Sequence, residues 1–139
     1  MRFVFDASVA IKLVLPEVDS DKALALEADF RNQIHELIAP NIYPLEVAHA
    51  LTKAERRGIL QPGEAESRLA RLLTYPPDLF PYLPLLGRAV EIATQARIGV
   101  YDCLYVALAE QTDCRLVTAD QRLITNLGSQ FPIVDLATT

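Results

Sequence analysis

Short apolar runs of strand length alternate with stretches of helical periodicity along nearly the whole chain, and that alternation restricts the fold more than any other feature. Arg2–Phe5, Glu36–Pro40, Arg115–Thr118 and residues 132–136 read as strands. Helices are expected over residues 9–15, closed by Pro16, and over 19–32, capped by Asp19 or Ser20. A third should span 43–57, where Leu45, Val47, Ala48, Leu51 and Ala54 recur at helical spacing before Gly58 stops it. A fourth starts at Pro62 and carries Ala65, Leu69, Leu72 and Leu73, and others cover 85–98, 101–112 and 120–127. Pro76, Pro77, Pro81 and Pro84 forbid a helix between residues 75 and 84, so this stretch is an extended connection or an edge segment. Strands alternating with helices imply an α/β fold with a parallel central sheet covered on both faces.

A chain of 139 residues with 51% hydrophobic content suits one domain that buries its own core, so residues 1–139 are expected to form a single unit. Cys103 and Cys114 have neither paired spacing nor further partners, which leaves zinc and a disulfide framework without support. Both are expected to be reduced core thiols. The N-terminus runs straight into Arg2-Phe3-Val4-Phe5, and no apolar run approaches the ~20 residues of a membrane span, so a cytoplasmic protein without a membrane partner is expected. A net charge of −5 excludes a passive nucleic-acid binder that relies on surplus Lys and Arg. An acidic protein acting on RNA needs cations to reverse the sign of its site.

In parallel sheets the active site lies past the carboxyl ends of the strands, near the switch point in strand order. Asp6 directly follows the first strand, and Asp120 lies two residues beyond Thr118. Glu46 and Asp102 each fall in the first turn of a helix, where the dipole favours negative charge. Taken singly, Asp6, Asp102 and Asp120 also suit helix caps, and Glu46 suits a solvated first-turn acid. Taken together, carboxylates without histidine or thiol offer hard oxygen ligands, which favour Mg²⁺ or Mn²⁺ over zinc.

The words around these acids carry a resemblance. Val4-Phe5-Asp6-Ala7-Ser8-Val9-Ala10-Ile11-Lys12, Pro44-Leu45-Glu46-Val47, the run from Tyr101-Asp102-Cys103 to Ala109-Glu110, and Leu116-Val117-Thr118-Ala119-Asp120-Gln121-Arg122-Leu123 together resemble the PIN-domain family, particularly its VapC-type toxin ribonucleases. The phrases fall in order over essentially the whole chain. The resemblance implies a three-layer α/β/α sandwich in which Asp6, Glu46, Asp102 and Asp120 form an acidic quartet for one or two Mg²⁺ or Mn²⁺ ions. It implies in-line hydrolysis of an RNA phosphodiester, leaving a 5′-phosphate and a 3′-hydroxyl, with Asp120 holding a second ion or working through water. It further implies a small antitoxin partner and a homodimer. Ser8 and Thr118 match small hydroxyl positions that would orient carboxylates or water around the metal, although each also suits a local bond to the backbone.

One departure from the family pattern is His49, where many relatives carry Asn three residues after the helix glutamate. A packed or partly exposed side chain is the reading favoured for His49, and a surface position for His35. Lys53, Arg56, Arg57, Arg68 and Arg71 form either a solvated face or a patch for RNA phosphate or an acidic partner. Glu17, Asp19, Asp21 and Glu27 are expected in solvent, and Glu110 is a weaker metal-site candidate. Haloacid-dehalogenase phosphatases want a second Asp where Ser8 stands, and receiver domains want paired acids near the first strand; neither pattern is present. A non-catalytic binding protein of the same fold and a structure-specific DNA nuclease are the remaining alternatives.

Overall fold

The structure is a computed structural model describing residues 1–139. Five parallel strands form one sheet: β1 (Arg2–Phe5), β2 (Glu36–Pro40), β3 (Asp78–Phe80), β4 (Arg115–Thr118) and β5 (Ile133–Asp135), in the order β3-β2-β1-β4-β5. Seven helices connect and cover them: α1 (Ala7–Ile11), α2 (Ser20–Arg31), α3 (Tyr43–Arg56), α4 (Glu64–Thr74), α5 (Leu86–Ala96), α6 (Val100–Thr112) and α7 (Gln121–Leu127). This is the three-layer α/β/α arrangement with a central parallel sheet that the sequence implies.

Order reverses at β1, whose two neighbours are β2 and β4, so the switch point lies between β1 and β4. The amide of Asp6 donates to Val117 O at 3.2 Å and carries the β1–β4 ladder one residue further. Helix α6 is the spine of the core: Cys103 through Ala109 are all buried, and the helix packs against β1, β2 and β4. A helix apolar on all sides belongs in the interior, where each fully buried Leu contributes roughly 1.5–3 kcal/mol.

Three readings are refined. Helix α4 begins at Glu64 because Gly63, at φ +87°, takes the capping position after Pro62. The proline-rich stretch contains the edge strand β3, paired to β2 with Ile38 opposite Asp78 and Pro40 opposite Phe80. Prolines 77 and 81 flank it and so cost no ladder bond within it. In α3 the buried stripe is Tyr43, Val47, Leu51 and Ala54, and Leu45 is 72% exposed. Two residues correspond to about 200° around a helix, so Leu45 faces away from Val47 and the core.

Glu27 is corrected outright. It is 6% exposed on α2 and accepts both guanidinium nitrogens of Arg71 from α4, at 2.7 and 2.8 Å. Arg68 is also committed within the fold, to Glu64 Oε2 at 2.8 Å and to the Val14 carbonyl. The basic cluster therefore contains two intramolecular anchors. Glu110, the weaker metal candidate, is paired with Arg88 at 2.8 and 3.1 Å. Cys103 is buried and Cys114 half-buried, both free. The His35 ring meets Phe3 edge-on with its Nδ1 buried and unpartnered, so it is less a surface residue than expected. No helix is long and apolar enough to cross a membrane.

Candidate metal centre

Four elements deliver the acids to one region at the carboxyl end of the sheet. Asp6 ends β1, Asp120 follows β4, Glu46 stands in the first turn of α3, and Asp102 in the first turn of α6. They lie close enough to act on one another: Asp6 raises the pKa of both Glu46 and Asp102, Asp102 raises that of Glu46, and Asp120 raises those of Asp6 and Asp102.

Asp6 has extended backbone before α1, and its main-chain oxygen accepts from Val9 and Ala10. Its carboxylate makes no cap. Instead Ser8 Oγ donates to Oδ2 at 2.5 Å and Thr118 Oγ1 donates to the same oxygen at 2.7 Å. The hydroxyls are themselves fixed, since Ser8 Oγ accepts from the Ala119 amide at 3.0 Å and Thr118 Oγ1 from the Asp120 amide at 3.1 Å. Oδ2 is thus fully engaged while Oδ1 takes no part in these bonds. Burial raises the Asp6 pKa, the two hydroxyls oppose that rise, and Asp120 adds to it.

Glu46 is pushed up to about 7, first by desolvation and then by Asp6 and Asp102, with Tyr105 acting in the opposite sense. Its Oε1 and the Tyr105 hydroxyl are both buried, and neither completes a well-formed hydrogen bond. Asp102 rises to about 6, chiefly by desolvation and then through Asp6 and Asp120, against the pull of Arg122. The Arg122 guanidinium approaches Asp102 Oδ2 at 3.8 Å from a largely exposed position. Asp120 does cap its helix, accepting from the Arg122 amide through Oδ1 at 2.9 Å, which leaves its second oxygen outside the cap.

The donor chemistry fits a divalent cation. Four carboxylates offer oxygens only, Glu46 Oε1 is a buried acceptor without a donor, and burial, with neighbouring acids adding to it, raises the pKa of Glu46 and Asp102. No three of these side chains are already drawn round a single point as a ligand set.

Tyr105, Arg122 and Tyr101 also reach this neighbourhood, and none was singled out from the sequence. Tyr105 stands three residues after Asp102, on the same helix face, which is the one signal that could have found it.

Fold and acids together define an α/β/α protein with an acidic centre at the switch point of a parallel sheet. The chain belongs to the PIN domain family, whose model matches residues 3–126. It is 35% identical over 134 residues to Ribonuclease VapC3 of Pyrobaculum aerophilum, covering 95% of this chain and 96% of that protein. Among solved structures it is similar to PAE2754 from Pyrobaculum aerophilum, with a TM-score of 0.72, 23% identity, and coverage of 99% of this chain and 94% of that one. It is also similar to VapBC2 from Rickettsia felis bound to a promoter DNA fragment, with a TM-score of 0.68, 15% identity, and coverage of 97% and 98%.

Proposed function

We propose that residues 1–139 form one nuclease domain, a metal-dependent endoribonuclease that hydrolyses RNA phosphodiester bonds as the toxin of a toxin–antitoxin pair. The observation that carries the reading is the convergence of four carboxylates at the switch point, with Glu46 and Asp102 raised to about 7 and 6 by burial and then by neighbouring acids, Asp6 acting on both. Full-length similarity to a protein named as a ribonuclease supplies the substrate class. A structural neighbour from Klebsiella pneumoniae described as a toxin–antitoxin complex supports a small antitoxin as partner, and the family resemblance adds a second copy of the chain as the other.

Asp6, Glu46 and Asp102 are assigned as the main anchors for Mg²⁺ or Mn²⁺, with Asp120 completing the set directly or through water. A divalent cation bound there would polarise a phosphoryl oxygen and lower the pKa of a coordinated water. Ser8 and Thr118 hold Asp6 Oδ2 and thereby aim Oδ1 at the centre. Arg122 lies beside Asp102, where it balances negative charge and can meet a substrate phosphate.

Mn²⁺ titration by calorimetry, run beside RNA cleavage, tests the assignment on the wild-type chain, Asp6→Asn, and the double variant Asp6→Asn/Asp102→Asn. Cleavage should fall to background in Asp6→Asn with the circular dichroism spectrum intact, and metal binding should vanish with it in the double variant. Wild-type cleavage rates in Asp6→Asn would remove the assignment, and a wild-type chain that never binds metal would leave the acids a structural role only.

A further inference from the structure

An open cleft of about 450 Å³ adjoins the acidic centre, lined by Ile42, Leu45, Glu46, His49 and Tyr101. Glu46 belongs to both the cleft and the centre, and Tyr101 is the residue before Asp102. Leu45 is 72% exposed and Tyr101 62% exposed, although each occupies a helix whose other large apolar residues are mostly buried. Packing within the chain accounts for neither side chain. His49 adds an exposed imidazole to the same wall, three residues after Glu46 and therefore on the same helix face.

We propose that Leu45, His49 and Tyr101 form a subsite for one unpaired nucleobase of the RNA, next to the phosphate presented to Asp6, Glu46 and Asp102. The inference rests on the nuclease reading and deepens it. Single-stranded RNA is gripped by splaying bases onto aromatic side chains and hydrogen-bonding their edges. Tyr101 supplies the aromatic surface, Leu45 an apolar floor, and His49 a ring nitrogen that donates or accepts at the base edge. Charge makes such a subsite necessary. The chain carries −5 overall, and Arg68 and Arg71 are committed to Glu64 and Glu27, so phosphate contacts supply less of the affinity than in a basic nuclease. Stacking on an aromatic ring is insensitive to salt by comparison, and its loss on alanine substitution corresponds to roughly five- to hundredfold in binding.

The absence of tryptophan from the chain provides a direct probe. Tyr101→Trp places a single indole in the cleft, and its fluorescence reports stacking whether or not RNA is cut. Short unstructured RNA should quench it, and an abasic oligonucleotide of equal length and charge should not. In parallel, Tyr101→Ala should raise KM for RNA cleavage about tenfold and flatten the base preference at one position beside the cut, with Mn²⁺ affinity unmoved. Equal quenching by both oligonucleotides, or an unchanged KM and cleavage profile, overturns the subsite. So does a Tyr101→Ala chain that changes from dimer to monomer in sedimentation, because the face would then be a contact between copies. Base-dependent quenching without any Mn²⁺-dependent cleavage by the wild-type chain would instead retain the subsite and remove the nuclease reading. Cleavage without such quenching would do the reverse.

Discussion

At the scale of single residues, the centre depends on where two hydroxyl protons are spent. Ser8 and Thr118 come from opposite ends of the chain, yet both donate to one oxygen of Asp6. Thr118 is 0% exposed and also receives the Asp120 amide, so it links two acids through one atom. Thr118→Val preserves volume and deletes both bonds. The Asp6 carboxylate then loses a partner that favours its charged form, and the Asp120 amide is left without an acceptor. Losses of about 10- to 100-fold in Mn²⁺ affinity are expected, the range for groups that orient metal ligands, with the fold retained. Thr118→Ser, which keeps the hydroxyl, should recover most of that affinity, and calorimetry on the two variants separates hydrogen bonding from packing. Equal losses in both would mean that the methyl group matters more than the hydroxyl.

At the scale of elements, α2 and α4 are fastened by a charged pair. Glu27 is nearly sealed, and Arg71 grips both its oxygens, with Arg31 following at 3.6 Å. Removing one partner of a buried pair leaves an uncompensated charge, which costs about 3–5 kcal/mol when burial is complete. Arg71 remains about one-third exposed and Arg31 stays nearby, so Arg71→Met should cost roughly 2 kcal/mol in urea denaturation, less than that range. Glu27→Gln/Arg71→Met should recover part of the loss, and a double variant no better than the single one would assign the effect to packing.

This fastening also shows where sequence reading stopped. Glu27 sits among charges on a weakly amphipathic helix and looks solvated until Arg71 of α4, 44 residues later, is packed beside it. Leu45 is misread for the complementary reason, because an apolar residue one-half turn from the core stripe resembles part of that stripe in one dimension. Strands β1, β2 and β4 and the helices between them were legible because their periodicity is local. The gathering of Asp6, Glu46, Asp102 and Asp120 was legible because strand ends and helix starts locate them without tertiary detail. The Arg122–Asp102 approach depends on packing between helices and left no mark on spacing, and the Tyr105 hydroxyl beside Glu46 left only its three-residue offset from Asp102.

At the scale of the whole molecule, the acidic centre sets how stability responds to pH. Glu46 rises from 4.5 to about 7 and Asp102 from 3.8 to about 6, so between the lower and upper values the folded chain holds more protons than the unfolded one. Stability then falls as pH rises, because the slope follows the protons bound by the unfolded state minus those bound by the folded state. Without divalent metal, Tm should therefore decline from pH 5 to pH 8, in the sense opposite to that of carboxylates stabilised by salt bridges. Self-repulsion of a chain with net charge −5 acts in the same direction, and Glu46→Gln separates the two, since it should flatten the decline by removing the largest local contribution. Mn²⁺ should raise Tm most at pH 8, where binding no longer has to displace protons, and least at pH 5. Scanning calorimetry in chelator and in Mn²⁺ at the two pH values measures all of this. A metal-free Tm that climbs toward pH 8 would mean that the acids ionise normally in the folded chain, and that burial and neighbouring charge are too weak to hold protons on Glu46 and Asp102.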